Sequence, residues 1–255
     1  MHRFHLPLEA CQGPTLTLTD REAHHALHVV RLRRGERVTV LDGAGHEYQC
    51  DVREASRESV TLAVLHKSMI APLPYHVTLL QAITKGKAFE NIVQKATELG
   101  AFRIVPLLSE RVVSVPDEDA AANKVEKWKL IAIDSIKQCG SAWLPQIEAP
   151  TLLKDLLARH ERFELPLVAS LQNDRRHPRE VLDEFRLKHG RLPKSVGIFI
   201  GPEGDFTTAE RDAIKETGAF PVTLGPLVLR SDTAAVYALS VLNYELQSPV
   251  PLSKA

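Results

Sequence analysis

The sequence has few cysteines, few aromatic residues and no long apolar run. Of its 255 residues, three are cysteine and 5% are aromatic. Cys11, Cys50 and Cys139 lie far apart without a C-x-x-C pair, so we expect reduced thiols and neither a disulfide framework nor a metal site. No apolar run approaches the roughly 18 residues of a membrane-spanning helix, and the segment MHRFHLPLEA lacks the apolar core of a signal peptide. The sequence therefore predicts a cytoplasmic protein without a membrane partner.

The sequence also lacks an excess of charge of either sign. Lys and Arg total 32, and Asp and Glu total 32, so the net charge does not indicate a nucleic-acid partner, and only the distribution of charge can do so. Residues 24–37 read HHALHVVRLRRGER and combine histidines with closely spaced arginines. This run is equally compatible with an ordinary solvated face and with an RNA-contacting face.

Several catalytic and nucleotide-binding motifs are missing. No G-x-G-x-x-G follows a predicted strand at the start of a β-α-β unit, which disfavours an NAD-dependent dehydrogenase and the commonest class of methyltransferase. The P-loop, G-x-S-x-G and H-E-x-x-H motifs are absent as well. The histidines are concentrated in the first third of the chain, away from the glycine loops described below, so His24 and His25 are disfavoured as general bases.

Residues 1–71 are predicted to form a small β-barrel of short strands with one helix. The alternating or apolar runs that predict strands lie at residues 15–18, 36–41, 46–52 and 59–65. Thr19 and Glu22 match the S/T-x-x-E capping box, which predicts a helix from residue 20 to about residue 29. Barrels of this size often bind RNA, but a fold alone does not establish a function.

Residues 71–74, Ala-Pro-Leu-Pro, are predicted to be a linker, and from residue 75 onward strands alternate with helices. The predicted strands are 76–83, 103–108, 165–171, 195–200 and 221–224. The predicted helices are 89–99, 123–138, 152–160, 178–188, 207–217 and 233–246. Apolar strands that alternate with helices predict an α/β domain whose mostly parallel sheet is covered on both faces.

Three loops follow predicted strands, at the edge where open α/β sheets bind ligands. The first is residues 201–205, GPEGD, whose glycines let the backbone approach a ligand closely. The N–H groups at the start of the next helix suit a polar or anionic ligand. Spacing alone, however, favours a tight turn with one exposed carboxylate. Residues 171–174, LQND, form a second loop that offers ligand contacts or only a turn.

The third loop, residues 224–235 (LGPLVLRSDTAA), contains an apolar run. Loops are usually polar, so we expect residues 227–229 to be partly buried against something flat and apolar, for which a nucleobase is suitable. Asp232 and Thr233 are predicted to cap the last helix. Arg230 then either contributes to a site or only pairs with Asp232 on the surface.

Together these motifs resemble the ribosomal RNA small subunit methyltransferase E family of the SPOUT superfamily. The resemblance is carried, in chain order, by Arg3-Phe4, His24-His25, residues 30–33 with Gly35, Lys85-Gly86, Glu90, residues 94–100 (QKATELG), Glu110-Arg111, residues 138–140, Leu144-Pro145, residues 200–204 (IGPEG), Leu224-Gly225 and Leu229-Arg230. The chain departs from the family pattern at Asp205, where a second glycine is common, and at Ser231-Asp232, where Thr-Glu is common. The family pattern has an arginine at the position that Ser141 occupies in this chain. An RNA contact that such an arginine would make is therefore not expected here.

The resemblance implies a PUA-like β-barrel over residues 1–71 and a SPOUT α/β methyltransferase domain over residues 75–255, with a deep trefoil knot. It implies a homodimer formed through the knotted domain and S-adenosyl-L-methionine as the cofactor. The implied reaction is methylation of N3 of a uridine in the 16S rRNA of the small ribosomal subunit. A related knotted methyltransferase acting on tRNA or on a ribose 2′-hydroxyl, and a non-catalytic RNA-binding assembly factor, stay open as alternatives.

The resemblance also implies roles for individual residues. Cofactor-binding residues are expected in the three loops and the last helix, namely Leu171, Gln172, Ile200, Gly201, Pro202, Glu203, Gly204, Leu224, Gly225, Leu229, Arg230 and Thr233. RNA-binding residues are expected among basic side chains, namely Arg3, His24, His25, Arg31, Arg33, Arg34, Lys85 and Lys87. For catalysis, Arg230 would orient or stabilise the uracil. Glu203 or Asp232 would accept the N3 proton if burial raised the pKa of that carboxyl, and the choice between them stays open.

Overall fold

The computed structural model describes residues 2–111 and 118–247, and the chain divides into two compact units. The first is Met1–Pro72 with Ala132–Leu144, and the second is Leu73–Ile131 with Pro145–Ala255. The sequence had placed residues 132–144 in the second domain. They join the first unit through long-range pairs such as Lys137 Nζ with Glu22 Oε1, 2.6 Å apart and largely buried. The domain boundaries at residues 71 and 75 stay a prediction.

The first unit is built on a mixed sheet of five strands. They are β1 His2–His5, β2 Thr15–Leu18, β3 Arg37–Leu41, β4 His46–Ala55 and β5 Val60–Met69. The order is β1-β3-β4-β5-β2, with β1 parallel to β3 and the other neighbours antiparallel. The predicted strands are confirmed, and their inward side chains pack with Phe4 into one core. β1 was missed because HRFH is short and too polar to show a strand pattern.

The helix of the first unit differs from its prediction. Helix α1 spans Asp20–His24 and continues as a wider helical turn over His25–Val30. The Thr19 side chain makes no capping hydrogen bond, so the predicted capping box is wrong. Glu22 instead accepts a hydrogen bond from the His5 N–H at 3.1 Å and pairs with Lys137. A carboxylate held by these distant partners is not available to cap its own helix.

The second unit contains a parallel sheet. Its strands are β6 His76–Ala82, β7 Arg103–Leu108, β8 Gln146–Ile147, β9 Thr151–Leu152, β10 Leu165–Ala169, β11 Ser195–Ile200 and β12 Phe220–Val222. The order is β12-β10-β11-β6-β7-β8, and β9 also pairs with β7. Every described pairing is parallel, which confirms the prediction. β10 and β12 each end two residues earlier than predicted, which leaves residues 170–171 and 223–224 in loops.

The helices between these strands begin and end at local signals. They are α2 Ala88–Glu98, α3, which is described over Glu118–Cys139, α4 Leu153–Ala158, α5 Pro178–His189, α6 Thr208–Glu216 and α7 Ser231–Gln247. The predicted capping box of α6 is confirmed, because Thr207 Oγ1 accepts from the Glu210 N–H at 3.2 Å and the Glu210 carboxylate accepts from the Thr207 N–H at 2.8 Å. In the described ranges, none of these helices has both the length and the apolar character needed to cross a bilayer.

The last helix begins earlier than predicted. The Ala234 N–H donates to the Arg230 carbonyl at 2.8 Å, so α7 starts at Ser231. Asp232 and Thr233 consequently lie in the first turn, and the predicted cap at these residues is wrong. One face of α7 is buried, whereas the opposite face is exposed at Thr233, Tyr237, Ser240 and Tyr244.

Candidate active site

A small cavity that is open to solvent lies at the carboxyl ends of β10, β11 and β12. These strands are neighbours in the sheet, so three loops that are distant in sequence meet there, and the first turn of α7 completes the wall. The three loops singled out in the sequence are the ones that form it.

Most of the expected cofactor-binding residues line this cavity. Those that do are Leu171, Ile200, Gly201, Pro202, Glu203, Leu224, Gly225 and Leu229. The structure places Gln172, Gly204, Arg230 and Thr233 outside the lining. Thr233 lies on the exposed face of α7, and the Arg230 side chain is exposed. The roles of all these residues stay predictions.

The sequence reasoning missed part of the wall. The additional lining residues are Ala169, Ser170, Asp205, Leu227, Val228, Ser231 and Ala234. Of these, only Leu227 and Val228 had a usable signal, as apolar residues in a loop. In the chain itself they are 73% and 78% exposed, whereas Leu229 is half-buried, so the expected packing of this run against a flat ligand stays a prediction. They line the cavity at its open side, where a ligand would cover them.

A buried hydrogen-bond relay supports the cavity from within the sheet. Gln81, at the end of β6, is fully buried, and its Nε2 donates to Ser231 Oγ at 2.9 Å and to the Ala82 carbonyl. Ser231 Oγ in turn donates to the Gly201 carbonyl at 2.6 Å. The relay therefore joins the ends of β6 and β11 to the start of α7, and it fixes the first residue of the 201–205 loop. Neither Gln81 nor Ser231 belongs to a motif that spacing could have identified.

We expect Ser231→Ala to lower the free energy of unfolding by about 1–3 kcal/mol, because it leaves a Gln81 donor and the Gly201 carbonyl without their partner. Urea unfolding measures this change. Ser240→Ala on the same helix is the matched control, since Ser240 Oγ donates only to the Val236 carbonyl at the surface. Equal effects of the two variants would contradict the relay.

The 201–205 loop is held in a defined shape by its last residue. Asp205 takes a left-handed conformation with φ of 60°, and its Oδ1 accepts from the Phe206 N–H at 2.8 Å. Phe206 is fully buried, and its carbonyl accepts from Arg211 Nη1 at 2.7 Å. Aspartate tolerates this conformation better than most residues, so the departure from the family glycine preserves the turn.

The loops after β6 and β7 contact the same segment. The Lys85 N–H donates to Glu203 Oε1 at 3.2 Å, and the Arg111 guanidinium donates to the Gly204 carbonyl. The Glu110 N–H donates to Glu210 Oε1 at 2.8 Å. Glu203 thus lies between the cavity and the β6 loop, with a carboxylate that reaches both.

The three expected catalytic residues differ in their surroundings. Glu203 lines the cavity but is exposed, so the burial expected for a proton acceptor is not seen in this structure. Asp232 is half-buried, and its Oδ1 accepts from the Thr233 N–H at 2.9 Å. Within the described residues, Arg230 forms no ion pair with Asp232, so the surface pairing considered for it is not found.

Three of the expected RNA-binding residues share a hollow of the first unit. Arg3, His24 and His25 line it together with Lys137. Arg3 also has a structural role, because its Nη1 donates to the Lys137 and Gln138 carbonyls at 3.3 Å. These hydrogen bonds occupy part of the Arg3 guanidinium, so fewer of its N–H groups are available to an RNA phosphate.

The remaining basic residues are exposed. Arg31, Arg33 and Arg34 lie between the helical turn and β3 in the first unit, and Lys85 and Lys87 lie in the β6 loop of the second. Arg31 has a left-handed backbone with φ of 61°. Exposed side chains of this kind are free to move toward a polyanion.

A larger hollow, of about 1,000 Å³ and open to solvent, lies against α4 and α6. Its lining includes mid-strand side chains such as Leu80 and Phe199, and none of the residues expected to be functional. Size alone would therefore favour this hollow over the smaller cavity. The smaller cavity is favoured because polar groups from several strand ends converge there.

Family models match both parts of the chain. One described as an RNA methyltransferase domain matches residues 71–243, and one described as an RNA methyltransferase PUA domain matches residues 18–65. The mixed sheet of the first unit, the parallel sheet of the second and its strand-end cavity thus belong to the class of RNA methyltransferases with a PUA-like module.

Relatives with similar sequences identify the family within this class of RNA methyltransferases. Ribosomal RNA small subunit methyltransferase E of Bacillus subtilis is 30% identical over 97% of this chain and 98% of its own length. The protein of the same name from Synechocystis is 33% identical over 92% of this chain and 74% of its own. The chain belongs to the ribosomal RNA small subunit methyltransferase E family.

Solved structures agree with this assignment. A Legionella pneumophila methyltransferase with the bound cofactor SAM has a TM-score of 0.85 and 30% identity, covering 95% of this chain and 97% of its own. A ribosomal RNA small subunit methyltransferase E from Neisseria gonorrhoeae, bound to S-adenosyl methionine, has a TM-score of 0.84 and 27% identity, covering 96% and 98%.

Proposed function

We propose that this chain is an S-adenosyl-L-methionine-dependent methyltransferase that methylates N3 of a uridine in the 16S rRNA of the small ribosomal subunit. The observation that carries this function is the cavity, where eight residues expected to bind the cofactor meet at the carboxyl ends of β10, β11 and β12. The names of the family members and the cofactor bound in two similar structures support it. We place this activity in the cytoplasm, where the small subunit is assembled.

The cavity has the chemistry that this cofactor requires. Leucine side chains at Leu171, Leu224 and Leu229 offer apolar surface to a flat adenine ring. When bound, S-adenosyl-L-methionine supplies a methyl group that leaves sulfur as N3 forms its new bond, so that the sulfonium becomes a neutral thioether.

The residues of this chain must remove the N3 proton and hold the base in line. Glu203 is our choice for proton acceptor, because it lines the cavity and is fixed to the β6 loop by the Lys85 N–H. Asp232 is the second candidate. Arg230 is exposed next to the cavity loop, where a mobile guanidinium can stabilise the developing negative charge of the uracil.

The exposed arginines of the first unit are proposed to contact RNA phosphates, which position the substrate without reading its sequence. We expect the triple variant Arg31→Ala/Arg33→Ala/Arg34→Ala to bind RNA more weakly and to lower the slope of log affinity against log salt by about two to three. Filter binding over a salt series measures the slope. Cofactor affinity should not change, and the double variant Arg186→Ala/Lys188→Ala on α5 should keep the wild-type slope. An unchanged slope in the triple variant would contradict the assignment.

The homodimer is proposed to form through the exposed face of α7. Tyr237 and Tyr244 lie on one side of this helix, 45% and 70% exposed, and aromatic residues on a helix face are typical of interfaces. We expect the wild type to sediment as two chains of 28.3 kDa and Tyr237→Asp/Tyr244→Asp as one. Leu187→Asp is the control, because Leu187 is 88% exposed on α5. A monomeric wild type would exclude the dimer.

We also propose the deep trefoil knot. The support is that Ser231, the first residue of α7 and the next residue after the 224–230 loop, donates from Oγ to the Gly201 carbonyl and so ties that loop to the 201–205 loop. These are the segments that the family resemblance places in the knot. An experimental structure traced through residues 200–231 tests it directly.

The function itself is tested by transfer of labelled methyl from S-adenosyl-L-methionine to small ribosomal subunits, followed by mass spectrometry of the nucleosides. We expect 3-methyluridine. A methylated ribose or a labelled tRNA would instead identify a related knotted methyltransferase. Failure to bind the cofactor would favour an assembly factor without catalysis.

A further inference from the structure

The loop between β10 and α5 is tied to β12 at both of its ends. The backbone N–H groups of Ser170 and Arg176 each donate to a carbonyl of β12 at 2.9 Å. Residues 171–174, which lie between these two anchors, are exposed, yet Leu171 lines the cavity in which we expect the cofactor. Contacts other than burial in the core must therefore hold this part of the loop in place.

The Arg175 side chain holds the beginning of this loop. Its Nη1 donates to the Leu171 carbonyl and to the Gln172 carbonyl, at 2.7 Å in each case. Nη1 carries two N–H groups, so each carbonyl can accept a hydrogen of its own. Hydrogen bonds from a charged donor are roughly twice as strong as those between neutral groups. The guanidinium therefore draws two consecutive carbonyl oxygens, which would otherwise repel each other, toward one point.

The other contacts of this loop are weaker. The Gln172 N–H donates to Ser170 Oγ at 3.1 Å, and Lys215 Nζ of α6 pairs with Asp174 Oδ2 at 2.7 Å. The side chains of that ion pair are 42% and 46% exposed, and exposed pairs of this kind contribute little to stability. We therefore expect Arg175 to contribute most to the conformation of residues 171–172.

Arg175 lies beside the cavity rather than in its wall. It lines an adjoining recess together with Asn173, Thr223, Gly225 and Pro226. The cavity and the recess share Gly225, so the two are direct neighbours. Arg175 is thus in a position to act on a ligand of the cavity through Leu171, whose side chain is half-exposed and offers apolar surface to that ligand.

We propose that Arg175 is a positioning residue for the cofactor, because its guanidinium fixes the Leu171 and Gln172 carbonyls and so keeps the Leu171 side chain at the cavity. This inference rests on the cofactor site proposed above. A loop that is ordered before binding spares the cofactor the cost of ordering it, which raises affinity. The bound complex itself has the same contacts to the reacting groups, so the rate at saturating cofactor should hardly depend on Arg175.

The test uses the full chain and unmethylated small ribosomal subunits. Initial rates over a series of S-adenosyl-L-methionine concentrations give kcat and KM for wild type, Arg175→Ala and Arg175→Lys. Calorimetry gives the Kd of the cofactor, thermal unfolding gives stability, and hydrogen–deuterium exchange of residues 170–176 reports the order of the loop. Arg176→Ala is the matched control, because the neighbouring Arg176 side chain pairs with Glu184 of α5 at 2.8 Å instead.

We expect Arg175→Ala to raise both the Kd and the KM of the cofactor by about tenfold, with kcat within about twofold of wild type. Without cofactor, residues 170–176 of this variant should exchange faster than in wild type, and saturating cofactor should restore their protection. Arg175→Lys should recover part of the affinity, since its ammonium keeps the charge and several N–H donors. Arg176→Ala should keep the wild-type Kd and KM.

Wild-type Kd and KM in Arg175→Ala would overturn the proposal. Equal losses of affinity in Arg176→Ala would also overturn it, and so would a fall in kcat together with a lower unfolding temperature, because that pattern indicates a general structural role. If Arg175→Ala does not fold, Arg175→Lys decides, and a wild-type Kd with unchanged loop exchange in that variant would count against the guanidinium. A wild type that binds no S-adenosyl-L-methionine would contradict the cofactor site itself, which is a different result from wild-type binding in the variants.

Discussion

Gly201→Ala is expected to weaken cofactor binding by about 10- to 100-fold while the chain stays folded. A Cβ on Gly201 would lie 2.9 Å from Asp205 Oδ1 and 3.2 Å from the Phe206 nitrogen. These two atoms are themselves hydrogen-bonded at 2.8 Å, so neither can move without opening the turn. Overpacking of this kind is unfavourable by about 1–3 kcal/mol, and about 1.4 kcal/mol is tenfold in affinity.

Calorimetric titration with S-adenosyl-L-methionine measures this loss. Gly204→Ala is the comparison within the same loop, because its Cβ would meet only the Arg111 side chain, with Cδ at 3.4 Å and Nη1 at 3.9 Å, which are ordinary contacts. We expect a much smaller loss of affinity there. Similar losses of cofactor affinity in both variants would contradict this steric explanation.

Glu203→Gln is expected to slow methyl transfer by about 100-fold or more and to change cofactor affinity far less. Proton transfer by a positioned side chain contributes about 10²- to 10⁴-fold. The amide keeps the shape of Glu203 and an oxygen for the Lys85 N–H that now donates to Oε1 at 3.2 Å, but it cannot accept the N3 proton. The loss should therefore appear in the rate constant rather than in the affinity for RNA.

Asp232→Asn is the matched variant for the alternative base. We expect it to retain most of the rate, since the described contact of Asp232 is to the Thr233 N–H of its own helix. Single-turnover rates of both variants under the same conditions separate the two carboxylates. A large loss at Asp232 with a small loss at Glu203 would reverse the assignment.

The sequence predicted the elements whose signals are local. β7 and β11 match their predicted bounds, because continuous apolar runs in a parallel sheet are buried on both faces. The Thr207 capping box was also predictable from the sequence, because its two partners, Thr207 and Glu210, lie within one helical turn of each other. The three ligand loops were found because each follows a strand, and strand order then brought them together.

Features that depend on distant partners were not predictable. Thr19 and Glu22 have the same spacing as Thr207 and Glu210, yet Glu22 pairs with Lys137 and the capping box does not form. Leu227 and Val228 were expected to pack against a flat ligand, and the structure adds that within the chain they are largely exposed and line the cavity. Gln81 and Ser231 belong to no motif, and only the structure shows that their polar atoms meet.

The resemblance carried by the amino-acid sequence determined the family, and local patterns determined most of the longer strands and helices and the loops that form the candidate cavity, because periodicity, caps and glycine turns act over a few neighbouring residues. The short strands β1, β8 and β9 were not predicted. The tertiary structure decided which of the loop residues line the cavity and which carboxylate is in contact with both the cavity and the β6 loop. These properties depend on atoms that are brought within about 3 Å of one another from positions as distant as Gln81 and Ser231, and no local pattern records such a distance.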